Sequence, residues 1–220
     1  MNTLVELASR AEGQSSPPGS GPYSYVHTRG GYLATEQMTD GRVLDSRVEE
    51  TEREFWVAAD GSGRIEETRD GRPSPMNGIY QPGGLWPGPL AAAPAETPAH
   101  VALRQSRSPL IEQIGTVWRT QTVPPALQAA LLRSLAAEPG LRLEETTDRA
   151  GRPGLAVSSD DRAGSGRGAR HVLVLEPGTG MVLAAEEIPL RSGGPTHPPG
   201  VGSYTYWVRT GYARDPGTRP

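Results

Sequence analysis

The chain has 220 residues, with 22 basic and 25 acidic side chains, a net charge of −3 and no cysteine. A charge this near neutral argues against nucleic acid or an anionic membrane surface as partner. The missing thiols exclude disulfides, a cysteine nucleophile and a zinc–thiolate centre. No apolar run approaches the roughly 20 residues a membrane helix needs, no signal peptide is visible, and the chain as given reads as soluble. Every basic residue is arginine, which fits the coding bias of a GC-rich genome better than a physical demand. The 28 glycines and 22 prolines predict much turn and loop.

Residues Asn2 to Glu12 read as a short helix, with Thr3 and Glu6 as a capping box and Leu4, Leu7, Ala8 and Ala11 as one stripe. Gly13 to Pro22 has linker composition. A strand begins at Tyr23, with Tyr23, Tyr25 and His27 on one face. Gly30-Gly31 marks a hairpin turn or bulge, and Tyr32 to Met38 returns. Arg42 to Ala59 is a longer extended run, with Phe55, Val57 and Ala59 on one face and Trp56 and Ala58 on the other. Asp60-Gly61-Ser62-Gly63 is a turn, after which Arg64 to Arg69 pairs back.

Gly71 to His100 is crowded with proline and glycine, yet carries Ile79, Tyr80, Leu85, Trp86 and Leu90. A connection this long without structure points to a lid, a binding loop or disorder, and its large apolar residues argue that part of it packs down on something. Ser108 reads as an N-cap and Pro109 as first turn of a helix to Gln121, with Leu110, Ile111, Ile114, Val117 and Trp118 on one face. A second helix runs from Pro125 to near Glu138, its stripe Leu127, Ala130, Leu131 and Leu135. The short link between them implies an αα-hairpin, the natural cover for a sheet.

Leu141 to Ile188 has four apolar-alternating runs separated by turn chemistry, the pattern of an antiparallel meander. Asp148 to Gly151 is one turn, Gly164 to Gly168 a polar loop, and Pro177 to Gly180 a tight hairpin. His171 to Leu175 is uniformly apolar enough for a strand buried on both faces. Arg191 to Gly200 is another proline- and glycine-rich loop. Gly202 to Tyr212 is the last strand, with Tyr204, Tyr206, Val208 and Tyr212 on one face. Its Tyr204/Tyr206 pair echoes Tyr23/Tyr25, read as convergence of two amphipathic edge strands. The tail from Arg214 is expected to fray.

The motifs carry no chemistry. Gly164, Gly166 and Gly168 resemble half a nucleotide loop, but a strand follows where a phosphate loop needs a helix. Asp60, Ser62 and Glu66 lack the acidic pattern of a calcium loop. His27, His100, His171 and His197 have no metal-ligand spacing and read as strand-surface histidines, though His27 and His171 could approach each other across the sheet. The adjacent carboxylates Glu49/Glu50, Glu66/Glu67, Glu144/Glu145 and Glu186/Glu187 point to opposite strand faces, so none forms an acid and base pair. No serine sits in a nucleophile elbow. These patterns predict no catalytic residue, no metal and no cofactor, hence no enzyme. The aromatic set is the informative one: Trp56, Trp86, Trp118 and Trp207 with the tyrosine pairs form the core or line a cavity between sheet and helices.

The segments GPYSYVHTRGGYL, EFWVAADGSGRIEETRDG, TVPPALQAALLRSLAAEPGLRLEETTDRAGRPGLAVSS and LVLEPGTGMVLAAEEI together resemble the extracytoplasmic domain of an uncharacterised family of actinobacterial membrane-anchored proteins, over nearly the whole chain. That resemblance implies an extracytoplasmic location, anchored through an upstream membrane helix that this chain lacks, and brings no assigned activity. More remotely, the order of elements is similar to the LolA-like lipoprotein-carrier and RseB-like sigma-regulator half-barrels, whose hollow holds helices and can take an acyl chain.

The expected fold is α+β: a single curved antiparallel sheet of about eight or nine strands, half-barrel-like, covered by a helical hairpin. The chain divides into an N-terminal helix (1–12), a linker (13–22) and one domain (23–215) with the loop at 71–100 and the hairpin at 108–138. The expected function is non-enzymatic binding of an apolar ligand, a lipid or a lipoprotein in the hollow, with Tyr23, Tyr25, Trp56, Tyr80, Trp86 and Trp118 as binding residues. The alternative is a protein-interaction or regulatory module of an envelope or sigma-factor system, with a dry core and an exposed apolar edge.

Overall fold

The computed structural model describes residues 2–38, 43–88, 90, 108–161, 168–190 and 202–220. The expected loops at 191–200 and 164–167, the lid from 91 to 100, and His100 and His197 lie outside them. Three helices are described: α1 (Asn2–Glu12), α2 (Leu110–Thr120) and α3 (Pro125–Ala136). Ten strands form one antiparallel sheet. They are β1 (Tyr23–Gln37), β2 (Val43–Val57), β3 (Gly63–Arg69), β4 (Arg72–Pro73), β5 (Gly78–Tyr80), β6 (Arg142–Thr147), β7 (Pro153–Asp161), β8 (Ala169–Leu175), β9 (Val182–Pro189) and β10 (Ser203–Ala213). The order is β4-β3-β2-β1-β10-β9-β8-β7-β6, with β5 also on β3. The α+β half-barrel expected from the sequence is therefore the fold.

Two meanders make this sheet, and the first and last long strands join them: Tyr23 pairs with Ala213 and Tyr32 with Ser203. The tyrosine echo thus belongs to the two central strands rather than to two edges. Each meander alone would leave an unpaired row of N–H and C=O groups, and pairing β1 with β10 satisfies both.

Alternation assigns the faces. The inner face carries Val26, Val157, Leu173, Leu175, Val182 and Trp207, which form one buried cluster with Leu4, Leu7, Ile111, Ile114, Val117, Trp118, Leu131 and Leu135 from the helices. The α1 stripe is as expected, with Leu4, Leu7, Ala8 and Ala11 at most 2% exposed. Burying each leucine contributes about 1.5–3 kcal/mol. Helix α3 packs on α1 and is tied by Gln128 to the β8–β9 hairpin; its buried set widens to Gln128, Ala129, Leu131, Leu132, Leu135 and Ala136, while Leu127 only packs partly against the core. The expected caps do not form: α1 already includes Thr3, and α2 starts after Pro109 without a side-chain cap. Ser108 instead accepts a hydrogen bond at its carbonyl from Gln113 Nε2, at 2.6 Å.

Gly30-Gly31 is no turn. Strand β1 passes through both, pairing Gly30 with Thr51 and Gly31 with Glu50. A methyl group at Gly31 would lie 2.5 Å from Tyr204 Cε1 and 2.7 Å from Val48 Cγ1. The glycine is there to let the Tyr204 ring cross the strand. The bulge lies further back: His27 pairs with Arg209 and Thr28 with Trp207, leaving Val208 unpaired. That extra residue reverses the alternation. Tyr204 and Tyr206 face outward, while Tyr212 turns to the opposite side, against the expected shared face.

The described part of the 71–100 segment is sheet edge, not lid. Strands β4 and β5 pair with β3, and the Asn77 side chain bridges the gap between them by accepting from the Glu67 N–H at 2.7 Å and donating to the Glu67 carbonyl at 3.0 Å. Leu85 then plugs a second cluster with Phe55, Val57 and Ile65. The tail is not frayed either. Trp56 Nε1 donates to the Thr218 carbonyl, Arg219 forks onto Glu54 at 2.6 and 2.7 Å, and Arg209 donates to the Pro220 carbonyl.

Candidate functional site

The bulge at Val208 builds an apolar concavity. A bulge re-aims a side chain by placing two residues opposite one, and Val208 is 46% exposed beside the buried Trp207. Trp207 Nε1 donates to the Trp118 carbonyl at 2.8 Å, which holds the last turn of α2 against β10. Val123 follows Trp118 in the link to α3 and Pro125 opens that helix, and Met181 and Val182 come up from the β8–β9 hairpin. Together with residues 14–18 they line a cleft of about 370 Å³. Its size falls within the usual range for small-molecule sites, and polar side chains, among them Arg152, Glu176 and Arg209, share the lining with the apolar ones.

Polar groups brace the cleft. Gln128 Nε2 donates to the Thr179 carbonyl at 2.9 Å, tying α3 to the hairpin. Arg152 donates to the carbonyls of Trp207 and Leu183, both at 2.9 Å. Asp148, whose side chain is fully buried, receives the same guanidinium. Residues 13–22 run along β10, where the Tyr212 N–H donates to the Pro18 carbonyl at 2.8 Å, and this places Pro17 and Pro18 on the cleft wall.

A second concavity, of about 260 Å³, lies on the inner face beyond α2 and is polar. Thr28, Gly30 and Tyr32 of β1, Glu49, Thr51 and Arg53 of β2, and Glu67 and Arg69 of β3 form its floor; Arg119 reaches it from α2. Burial lowers the Arg53 pKa from its usual value, and Glu67 nearby opposes that shift.

The six expected binding residues fall into separate places. Tyr25 and Trp56 stack on the outer face, ring centroids 5.1 Å apart, with Tyr23 against them, and the tail covers them. Burial, and then the hydrogen bond to Glu54, push the Tyr25 pKa well above its usual value. Tyr80 packs beside Leu85 and donates to the Met76 carbonyl at 2.6 Å. Trp86 is 56% exposed. Of the six, only Trp118 lines the cleft. Its other walls escape sequence reading because nothing local marks the bulge that turns Val208, and because the 13–22 segment reads as a linker until it docks.

His27 Nε2 meets Glu52 Oε1 at 2.8 Å on the outer face, and Arg29 shares that carboxylate at 3.0 Å. Burial alone would raise the Glu52 pKa, but His27 and Arg29 outweigh it and hold it low. His171 is not a surface residue: it is 8% exposed on the inner face, so the two histidines point to opposite sides of the sheet. Among the described residues no group of three His, Asp or Glu side chains could hold a metal ion. No helix among them is long and apolar enough to cross a membrane.

An open half-barrel with helices packed in it and concavities beside them is the class of object that fold and site define. No family model matches the chain, and no curated protein sequence matches it. Among solved structures it is similar to a crystal structure of MucB, at 17% identity and a TM-score of 0.33, over 100% of this chain and 59% of that one. It is also similar to the Pseudomonas aeruginosa MucA/MucB complex, at 17% identity and a TM-score of 0.30, over 99% and 58%. A structure of MucB in complex with MucA(peri) is similar at 16% identity and a TM-score of 0.30, over 98% and 57%. The chain thus spans less than three fifths of the length of the MucB chains in these structures, and the likeness is remote.

Proposed function

We propose that this chain is a non-enzymatic binding domain that takes an apolar group, such as the chain of a lipid or lipoprotein, in the cleft between Trp118, Trp207 and residues 14–18. One observation carries the reading: a bulge presents Val208, and a hairpin presents Met181, at 46% and 38% exposure, to the same apolar cleft. Large exposed apolar side chains converging on a concavity suit a ligand that water does not compete for. The extracytoplasmic setting and the membrane anchor belong to this proposal through the resemblance of the WVAADGSGR and VPPALQAALLRSLAAEPG segments.

The neutral dye N-phenyl-1-naphthylamine tests it. The expected result is saturable fluorescence enhancement at one dye per chain, weakened about tenfold or more by Val208→Glu or Met181→Glu and unchanged by Trp86→Ala. Absence of saturable binding, or dye binding by V208E equal to the parent's, would overturn the reading.

A second reading has its own observation. Met76, Ile79 and Trp86 are 48%, 69% and 56% exposed along the β4–β5 edge, an apolar edge that suits an envelope protein partner. Should a partner be captured, loss of its binding on Ile79→Glu with Trp86→Ala, and none on V208E, would favour this reading over the cleft.

A further inference from the structure

The polar concavity contains a charge arrangement that the apolar cleft does not explain. The strand register stacks its floor in rows: Thr28, Arg53 and Glu67; Gly30, Thr51 and Arg69; Tyr32 and Glu49. Arg119 comes over these rows from α2, one residue after Trp118. Successive helix residues project about 100° apart, so the last turn of α2 sends Trp118 to the cleft and Arg119 to the concavity.

The partners of these groups are unevenly distributed. Arg69 Nε donates to Glu67 Oε1 at 2.7 Å. Glu49 is taken by Arg47 from the rim, at 3.2 Å. Among the described residues Arg119 donates only to the Thr116 hydroxyl, at 3.2 Å. Arg53 lies with its guanidinium carbon 4.3 Å from the Phe55 ring centroid, and its buried Nε has no hydrogen-bond partner among the described residues. A buried donor without an acceptor is costly, and a guanidinium keeps its charge in such a place. Counting the rim, four guanidinium groups (Arg47, Arg53, Arg69, Arg119) thus face three carboxylates (Glu49, Glu67 and Asp70, the last 3.8 Å from Arg47), an excess of one positive charge in a chain whose net charge is −3.

We propose that this concavity is a binding site for a singly charged oxyanion, a carboxylate or a phosphodiester, held by Arg53 and Arg119. A guanidinium presents five donors in a planar fork that matches two oxygens of such a group, and charge-assisted hydrogen bonds of this kind are the strong ones. The Thr28 and Thr51 hydroxyls line the floor as further donors, and the Tyr32 hydroxyl meets the Thr205 hydroxyl there at 3.3 Å. One negative charge balances the local excess; a second would have no cation left to balance it, so the site selects monoanions over dianions. The proposal is independent of the apolar cleft, because the two concavities share no lining residue.

Nitrogen-15 spectra of the arginine Nε–H groups test it, with the Arg53 signal assigned by its loss in Arg53→Lys. The protein is titrated separately with acetate, dimethyl phosphate, inorganic phosphate at a pH where it is dianionic, and chloride. The expected result is a saturable shift of the Arg53 signal with acetate or dimethyl phosphate, whichever binds tighter naming the source of the anion, and a weaker response to dianionic phosphate. Arg119→Gln, a change at a half-buried helix position, is expected to weaken that binding about tenfold, the loss of one charge-assisted hydrogen bond. Its N-phenyl-1-naphthylamine binding is expected to stay as in the parent, which separates the two sites. A shift that never saturates, a shift that chloride reproduces, or unchanged anion binding in R119Q would each overturn the proposal.

Discussion

The indole Nε1 of Trp56 donates to the main-chain carbonyl of Thr218 at 2.6 Å, across 162 positions of sequence. Strand β2 and the tail are thereby fastened on the outer face, with Tyr25 stacked beneath and the Arg219–Glu54 pair alongside. Replacing Trp56 by Phe keeps most of the ring and removes the donor. The expected cost is about 1–2 kcal/mol, the worth of a partly buried hydrogen bond and the carbonyl it leaves unpaired. For a domain of this size that lowers the Tm by about 2–4 °C per kcal/mol, and a thermal melt followed by circular dichroism checks it.

The Glu54 carboxyl adds a pH signature to the same fastening. Burial would raise its pKa, but the hydrogen bonds from Arg219 and Tyr25 win and hold it below the ordinary 4.5. A depressed folded pKa contributes stability that is present above the unfolded value and lost as pH falls through the folded one. The Tm is therefore expected to drop on acidification below about pH 4.5, and Arg219→Ala to flatten that drop. A parent and variant with the same slope would contradict this. At the alkaline end, burial and Glu50 push Tyr204 up to about 12. Its raised folded pKa means stability present below the unfolded value of 10.0 and lost as pH rises toward the folded one.

Gly31 and Gly178 should respond differently to alanine. At Gly31 a methyl group meets the Tyr204 ring and Val48, and the Arg149 guanidinium packs over that ring, 4.2 Å from its centroid. Overpacking of this kind costs about 1–3 kcal/mol. At Gly178 a methyl group meets nothing within 4 Å, and surface changes of that sort stay within about 0.5 kcal/mol. Urea denaturation of the two variants makes the comparison.

Arg152→Met should be the most damaging single change named here. Asp148 Oδ1 accepts the N–H groups of Ala150 and Arg152, both at 2.9 Å, and its Oδ2 receives the Arg152 side chain at 2.6–2.7 Å, all without solvent exposure of the carboxylate. Removing the guanidinium leaves a buried charge and two strand carbonyls without their partner. Breaking such a pair costs about 3–5 kcal/mol. A double-mutant cycle with Asp148→Asn is expected to recover part of that loss; strict additivity would show that the two residues are not coupled.

The amino-acid sequence by itself determined the local elements. Leu4, Leu7, Ala8 and Ala11 announced α1 by their spacing, Asp60 to Gly63 announced its turn, and the alternation of Leu141 to Ile188 announced the meander, because helix and strand periods and turn residues act over a few positions. Tertiary structure alone decided the rest. Gly30-Gly31 looks like a turn in isolation and proves to be the clearance for Tyr204, a residue far along the chain. The pairing of β1 with β10, which makes the two tyrosine-rich strands central, arises from matching two open sheet edges. The bulge that turns Val208 into the cleft, the docking of residues 14–18 beside it, and the meeting of Arg53 with Arg119 all depend on which strands and helices become neighbours. No local pattern encodes that choice, because burial and charge are properties of the assembled faces rather than of any segment.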